Sequence, residues 1–366
     1  MIYLFNSAIR PLYLKNVLNT LALPHGWINE YRYKLSEYVS QDIQQDLSIL
    51  SKGSECLISF IDRFDSKGYE YHPLRRGTLL SHRQEDETLH LKIVLGDFVY
   101  PTDRTAWQQQ LLAELASQHL AALTNADPEN THDGLYVLQG KDLLSENKAF
   151  LSGEKAWVES VVAISATTAF AKASPPPVFI RLEARREERS KKPIKPKVWE
   201  GSASYLFKPD QRCVLVVNYR FPLQRADKSA KAGLTLELGE ALKSLGGANV
   251  SIDSYSNSVV VPFISKKYRE DSAGTISLSD DNAKGAALTF DRPLPYQVRE
   301  GGLVVKVLLL LIVYAVASAV TAVDFSKLCP FTWLGLVHAA IPKSAGGVVQ
   351  AFVLFWIFRM LGKKPI

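Results

Sequence analysis

The residues best suited to chemistry lie in one stretch, Tyr69-Glu70-Tyr71-His72-Pro73-Leu74-Arg75-Arg76-Gly77, where aromatic, imidazole and guanidinium groups crowd together beside a turn. Aromatic faces attract cations, and planar guanidinium forks grip carboxylates and phosphates with paired hydrogen bonds. Tyr69, Tyr71, His72, Arg75 and Arg76 could therefore hold an anionic ligand, a nucleotide or a peptide carboxylate. The plainer alternative is a strand end whose tyrosines pack on the core while Arg75 and Arg76 stay solvated.

A second concentration of charge runs from Arg181 to Lys197. Eight basic residues (Arg181, Arg185, Arg186, Arg189, Lys191, Lys192, Lys195 and Lys197) stand against Glu183, Glu187 and Glu188, a surplus of five. The run reads as a solvated linker, or as a contact of Arg185, Arg186, Arg189, Lys191 and Lys192 with anionic lipid headgroups, where each basic residue contributes about 1 kcal/mol. Nucleic acid is the least favoured partner. The run has no aromatic residue before Trp199, and Pro193 and Pro196 interrupt any groove-binding helix.

Signatures of catalysis are missing: there is no phosphate-binding Gly-rich loop, no GxSxG elbow, no HExxH and no paired-cysteine zinc motif. His82 and His90 flank an acidic turn without a carboxylate cluster to complete a metal site, and His132-Asp133 beside Gly134 reads as turn chemistry. Asp280-Asp281-Asn282 lacks the oxygen-ligand spacing of a calcium loop. The expectation is a binding protein with no metal and no cofactor. An enzyme built on His72, Arg75 and Arg76 is the reading that alanine at those positions would test.

The elements that must position these groups change character along the chain. Strands are expected at Met1 to Phe5, Trp27 to Tyr33, Cys56 to Phe64 and Thr88 to Val99, the last with Leu89, Leu91, Ile93 and Leu95 alternating with polar residues. Val39, Ile43, Leu47 and Leu50 recur at helical spacing, predicting a helix from Glu37 to Lys52 that Gly53 stops. Further helices are expected from Thr102 or Asp103 to Ala122 and from Glu154 to Phe170, and a strand near Tyr136. Asn6 to Leu21 is ambiguous because Pro11 and β-branched neighbours weaken a helix. Pro175-Pro176-Pro177 marks a boundary, after which eight short strands between Val178 and Phe290 suggest a sandwich or barrel. Arg292-Pro293-Leu294-Pro295 then reads as a stiff connector.

The C-terminal part is the clearest signal in the chain. Leu303 to Val323 has 21 residues and one charge, Lys306; at about 1.5 Å per residue it reaches roughly 32 Å, enough to cross a bilayer core. Ser344 to Leu361 is a weaker second span, closed by Arg359, Lys363 and Lys364, and the segment between them, 324–343, has an interfacial centre with Phe331 and Trp333. Ala315 with Ala319, Ser318 with Ala322, and Gly347 near Gln350 offer small or polar residues for close helix association. Basic residues outside the spans favour both termini in the cytoplasm of a plasma-membrane protein, and Met1 to Phe5 is too short for a signal peptide. Cys56, Cys213 and Cys329 form no paired motif, which suits a reducing compartment.

The expected organisation is an α+β N-terminal domain (1–173), a Pro-rich basic linker with a possible first strand (174–200), an all-β sandwich or barrel-like domain (201–295), and a C-terminal transmembrane helical hairpin (303–323 and 344–361). In layout the chain is similar to membrane effectors of bacterial antiviral and cell-suicide systems, which join a cytoplasmic sensing module to a few terminal spans. That resemblance implies recognition of a protein or small ligand, self-association, and perturbation of the bilayer. The alternative is a membrane-tethered scaffold or adaptor that binds a protein partner and uses the hairpin as a passive anchor.

Overall fold

The computed structural model describes residues 1–7, 11–64, 68–117, 134–137, 150–171, 177–187, 192–221, 232–247, 249–252, 256–266, 272–280, 287–288, 290 and 292–299. Both expected spans, the segment between them, and Ala315, Ser318, Ala319, Ala322, Gly347 and Gln350 lie outside the described residues, as do Arg189 and Lys191. Among the described residues no helix is long and apolar enough to cross a membrane. They are mostly β, arranged in three sheets with few helices.

Strands β1 (Ile2–Ser7), β2 (Ile28–Lys34), β3 (Glu55–Phe64), β4 (Gly68–Glu85), β5 (Thr88–Pro101), β6 (Gly134–Val137) and β7 (Phe150–Ser152) form the first sheet, in the order β2-β5-β4-β3-β1-β6 with β7 on β5. Only the β1–β3 pair is parallel among its described pairs. The crossover between those two strands carries helix α1 (Pro11–Ala22), as a parallel connection requires. Pro11 occupies its first position, where the absent N–H has no intrahelical partner to lose, so the proline that weakened the sequence reading starts the helix instead.

The helix expected from Glu37 to Lys52 is not continuous. It is α2 (Leu35–Tyr38), α3 (Gln41–Gln45) and a 3-10 turn, Leu47–Ile49, separated by Val39 and Asp46 in extended backbone. The Asp46 carboxylate accepts from the Ser48 N–H at 2.9 Å, a local bond that competes with helix continuation. Val39, Ile43 and Leu50 are nonetheless all buried, so the apolar spacing was real and the element it suggested was not. Helix α4 (Arg104–Ser117) is capped by Asp103, whose Oδ1 accepts from Ala106 N–H at 2.9 Å. Helix α5 (Gly153–Ser165) buries Trp157, Val161 and Ile164 as their spacing predicts, then breaks before the single turn α6 (Thr168–Ala171).

The remaining strands are β8 (Pro177–Arg186), β9 (Lys197–Trp199), β10 (Ser202–Phe207), β11 (Arg212–Arg220), β12 (Ala232–Leu238), β13 (Leu242–Ser244), β14 (Asn249–Ile252), β15 (Ser256–Ser265), β16 (Ser272–Asp280), β17 (Ala287–Leu288) and β18 (Leu294–Val298). They make a six-stranded sheet, β14-β12-β16-β18-β10-β9, and a five-stranded sheet, β13-β15-β11-β8-β17. Phe207 of the first meets Phe263 of the second edge-on at 5.4 Å, and the Ala184 N–H donates to Tyr205 Oη at 3.4 Å. Two expectations change here. The supposed connector at Leu294-Pro295 is part of β18, between β10 and β16, with Pro295 opposite Thr275. The possible first strand at the start of the basic run is β8, which continues past Leu182 to Arg186 and is hydrogen-bonded to β11.

Met1–Lys267 with Ser272–Val298 is one compact unit. One hydrophobic cluster runs through it, from Leu4, Trp27 and Tyr31 to Leu215, Phe263 and Tyr296.

Candidate functional site

Strand β4 carries the stretch singled out by its residue types, and its register decides where each group goes. Phe60 of β3 faces His72 and Ser59 faces Pro73, but Ile58 faces Arg75, so Leu74 is an extra residue with no opposite partner. Without this bulge, residues three apart would point to opposite faces; with it, His72 and Arg75 share one face. Tyr71 and Arg76, opposite Ile61 and Leu57, take the other face. There Tyr71 is buried and meets Phe5 edge-on at 5.3 Å, as part of the cluster with Trp107. Tyr69 lies opposite Arg63. The five candidate residues are therefore not one site. Arg75 is not solvated either, being 1% exposed.

Arg75 and His72 border two different cavities. The first, about 300 Å³, lies between the β4–β5 side of the first sheet and strand β8, with Pro193, Ile194 and Lys195 along its rim. Arg75 donates from Nε to the Gly96 carbonyl at 2.8 Å and from Nη1 to the carbonyls of Thr20 and Leu23 at 3.0 and 2.6 Å. Its guanidinium also stands 4.2 Å over the Phe98 ring. Burial draws its pKa down to about 9, with Arg181 adding to the effect against Tyr31 and Asp97. Arg75 stays charged at neutral pH, although its Nη1 is spent on the end of α1 and its Nε on β5.

Arg181 brings a half-engaged guanidinium to this cavity. Its Nη2 donates to Glu183 Oε2 at 3.1 Å, and Glu183 is shared with Arg185, whose Nε and Nη2 reach it at 2.9 and 3.1 Å. Burial pushes the Glu183 carboxyl up, but Arg185 and Arg181 outweigh it and hold the group below its ordinary value. Arg181 Nη1 is buried without a hydrogen-bond partner; Glu154 Oε2 stands 4.0 Å away. With Lys195 at the rim, and Asp97 already bonded to His25 at 2.9 Å, the cavity favours an anion. A carboxylate or phosphate oxygen would complete the Arg181 fork.

The second cavity, about 330 Å³, lies against α5 and is lined by Glu70, His72, Tyr100, Arg104, Glu159 and Thr167 among others. His72 is 1% exposed and neither ring nitrogen has a hydrogen-bond partner. Burial lowers its pKa to about 4, so the imidazole is neutral at pH 7. Glu70 Oε2 is 3.9 Å from Nε2, and the other oxygen of that carboxylate, Oε1, is ion-paired with Arg104.

The basic residues expected to face lipid are spread over β8 and the segment after it. Arg185 is tied to Glu183, while Arg186 and Lys192 are exposed and adjacent, the Arg186 N–H donating to the Lys192 carbonyl at 3.3 Å. Beyond them Trp199, 76% exposed, opens the two-residue turn between β9 and β10, where Glu200 and Gly201 have φ of 48° and 75°. His82 and His90 do not converge: His82 lies opposite Leu91 and His90 opposite Arg83, so they alternate onto opposite faces of the β4–β5 hairpin. His90 instead bridges Glu30 at 2.9 Å and Glu85 at 3.2 Å. Among the described residues no group of histidine, cysteine and carboxylate side chains is placed to hold a metal ion.

Sequence reasoning counted Arg181 only as one charge in a run, and it missed Glu159, Tyr100 and Arg104 altogether. A signal for Arg181 was present in the strand alternation, since it stands between the buried Ile180 and Leu182. Its nearness to residue 75 depends on packing between sheets, which no local pattern carries. No protein-family model matches the chain, and no curated protein is similar to it.

Proposed function

We propose that this chain is a membrane-associated sensor: a small anionic ligand enters the Arg181 cavity, and the C-terminal apolar segments deliver the response to a bilayer. The observation that carries the sensing half is the buried Arg181 Nη1 without a partner, on the wall of a cavity that also holds Arg75 and Lys195. Leaving a buried charged donor unmade costs more than 1 kcal/mol, and a ligand oxygen repays that cost. Such a ligand would touch both β8 and the Gly96–Phe98 edge of the first sheet, so binding favours the state in which those layers are closed.

The output half rests on the sequence, with the 21-residue apolar run Leu303 to Val323 and the weaker run to Leu361 acting as a helical hairpin behind an α+β part and a sandwich-like β part. In this reading self-association raises the local concentration of the hairpins until weak contacts between small-residue faces become effective. The protein binds and perturbs; it does not turn over a substrate.

The test is membrane potential and growth of bacteria on induction of the full chain. Beside it stand Arg181→Gln, a version ending at Gly302 and a version with an unrelated apolar hairpin. The native chain is expected to depolarise cells under its trigger and the other three are not. A swapped hairpin that works as well as the native one would replace this reading with the passive-anchor scaffold. A fully active Arg181→Gln would remove the cavity from it.

A further inference from the structure

We infer that the cavity around His72 is a second ligand site, and that it takes a small hydroxylated amine, the chemistry shared by amino alcohols and amino sugars. A histidine at 1% exposure beside Phe60, whose ring centre is 6.0 Å from its own, is an expensive choice for a core position. An apolar ring would fill the same space without two unpartnered nitrogens, whose desolvation opposes burial. What sets His72 apart from a misplaced core residue is the space of about 330 Å³ next to it, bounded by groups of complementary chemistry.

The charges around that space select the ligand. Glu70 is engaged by Arg104, and Glu159, on the solvent side of α5, has no ion pair among the described residues. Two carboxylates against one guanidinium leave the rim with one negative charge to spare, which an ammonium group neutralises. The neutral imidazole adds no repulsion. It presents one N–H donor and one lone pair, and a hydroxyl group can answer either. Tyr100 supplies a further hydroxyl on the same wall. Each part of the ligand thus has its counterpart: the ammonium meets Glu159, and the hydroxyl meets His72.

This inference is independent of the Arg181 cavity, and calorimetric titration of the full chain in detergent tests it. Ethanolamine and glucosamine are the probes, with ethylamine lacking the hydroxyl and glycerol lacking the amine. Saturable binding of at least one hydroxylated amine is expected, with both controls at least tenfold weaker. Binding of glucosamine alone identifies the amino-sugar class, and binding of ethanolamine alone the amino-alcohol class. Glu159→Gln, at an exposed position that leaves the core intact, is expected to weaken binding tenfold or more, as is His72→Phe; Arg181→Gln is expected to leave it unchanged. No saturable heat with either probe, equal affinity for glycerol, or unaltered binding in Glu159→Gln would overturn the inference.

Discussion

Three backbone carbonyls, from Thr20, Leu23 and Gly96, converge on the guanidinium of Arg75. Among the described residues no carboxylate pairs with it, so its main work is to cap the end of α1 and tie it to β5. Arg75→Met is expected to leave those carbonyls without their donor and to cost about 3 kcal/mol in urea unfolding of the full chain. Arg75→Lys, which keeps the charge but loses the fork, is expected to recover only part of this; an unchanged midpoint in Arg75→Met would refute the capping role. His72 makes a prediction with a pH sign. Its folded pKa of about 4 lies below the ordinary 6.5, so between those values the unfolded chain binds the extra proton. Its contribution is whole above pH 6.5 and is lost as pH falls toward 4, about 3 kcal/mol in all. Glu70, Arg104 and Glu159 line the same cavity, so the informative quantity is the difference between wild type and His72→Phe across that window; parallel pH curves would contradict it. The sequence drew attention to both residues because imidazole and guanidinium so close to tyrosines are uncommon in a strand. It could not assign them, because their common face depends on a single extra residue, Leu74.

At the level of elements, most strands were legible because alternation is a local property. The burial pattern of β5 follows the alternation of Leu89, Leu91, Ile93 and Leu95. The element least legible was β18, where two prolines near Leu294 suggested an extended connector. Pro295 is tolerated because β10 pairs with β18 only from Tyr296 onward, so the proline has a neighbouring strand on the β16 side alone, while Tyr296 fills a groove that glycine leaves open. A Cβ placed on Gly274, opposite Tyr296, would lie 2.5 Å from the tyrosine Oη and 2.7 Å from its Cζ. Gly274→Ala is therefore expected to force the ring out and to cost about 1–3 kcal/mol by denaturant unfolding. Combining it with Tyr296→Leu is expected to cost less than the sum of the two single changes, since the clash disappears with the ring. Strict additivity would mean that the ring does not lie over Gly274. The Glu37 to Lys52 segment illustrates the opposite failure: a spacing of three to four residues persisted through separate short turns, because Val39, Ile43 and Leu50 need only face inward, whatever the backbone does between them.

For the molecule as a whole, the proline run at 175–177 is the strongest punctuation in the sequence, yet side chains on either side of it share one core. Trp27 of the N-terminal part stands 5.1 Å from Tyr205 of β10, and both belong to the cluster that reaches Phe263 and Tyr296. Contacts between residues 27 and 205 leave no trace in local periodicity, which is why the sequence speaks for separate parts and is silent on how they pack. A shared core has a thermodynamic consequence. Were the first sheet to open alone, it would expose the apolar face of Tyr205 and its neighbours, at about 25 cal/mol for every Å² uncovered. Opening one part therefore weakens the other. The expected outcome is a single cooperative unit: in hydrogen exchange under rising urea, the slowest amides of β3 to β5 and those of β11 and β15 should converge on one opening free energy. Tyr205→Ala, which removes a fully buried ring from the middle of the cluster, should lower protection in both groups together by about 3–5 kcal/mol. If it lowered protection only in β11 and β15 and left β3 to β5 untouched, the two parts would be independent domains. A ligand in the Arg181 cavity, which lies between β8 and the first sheet, would then have to hold them together by itself rather than bias a core they already share.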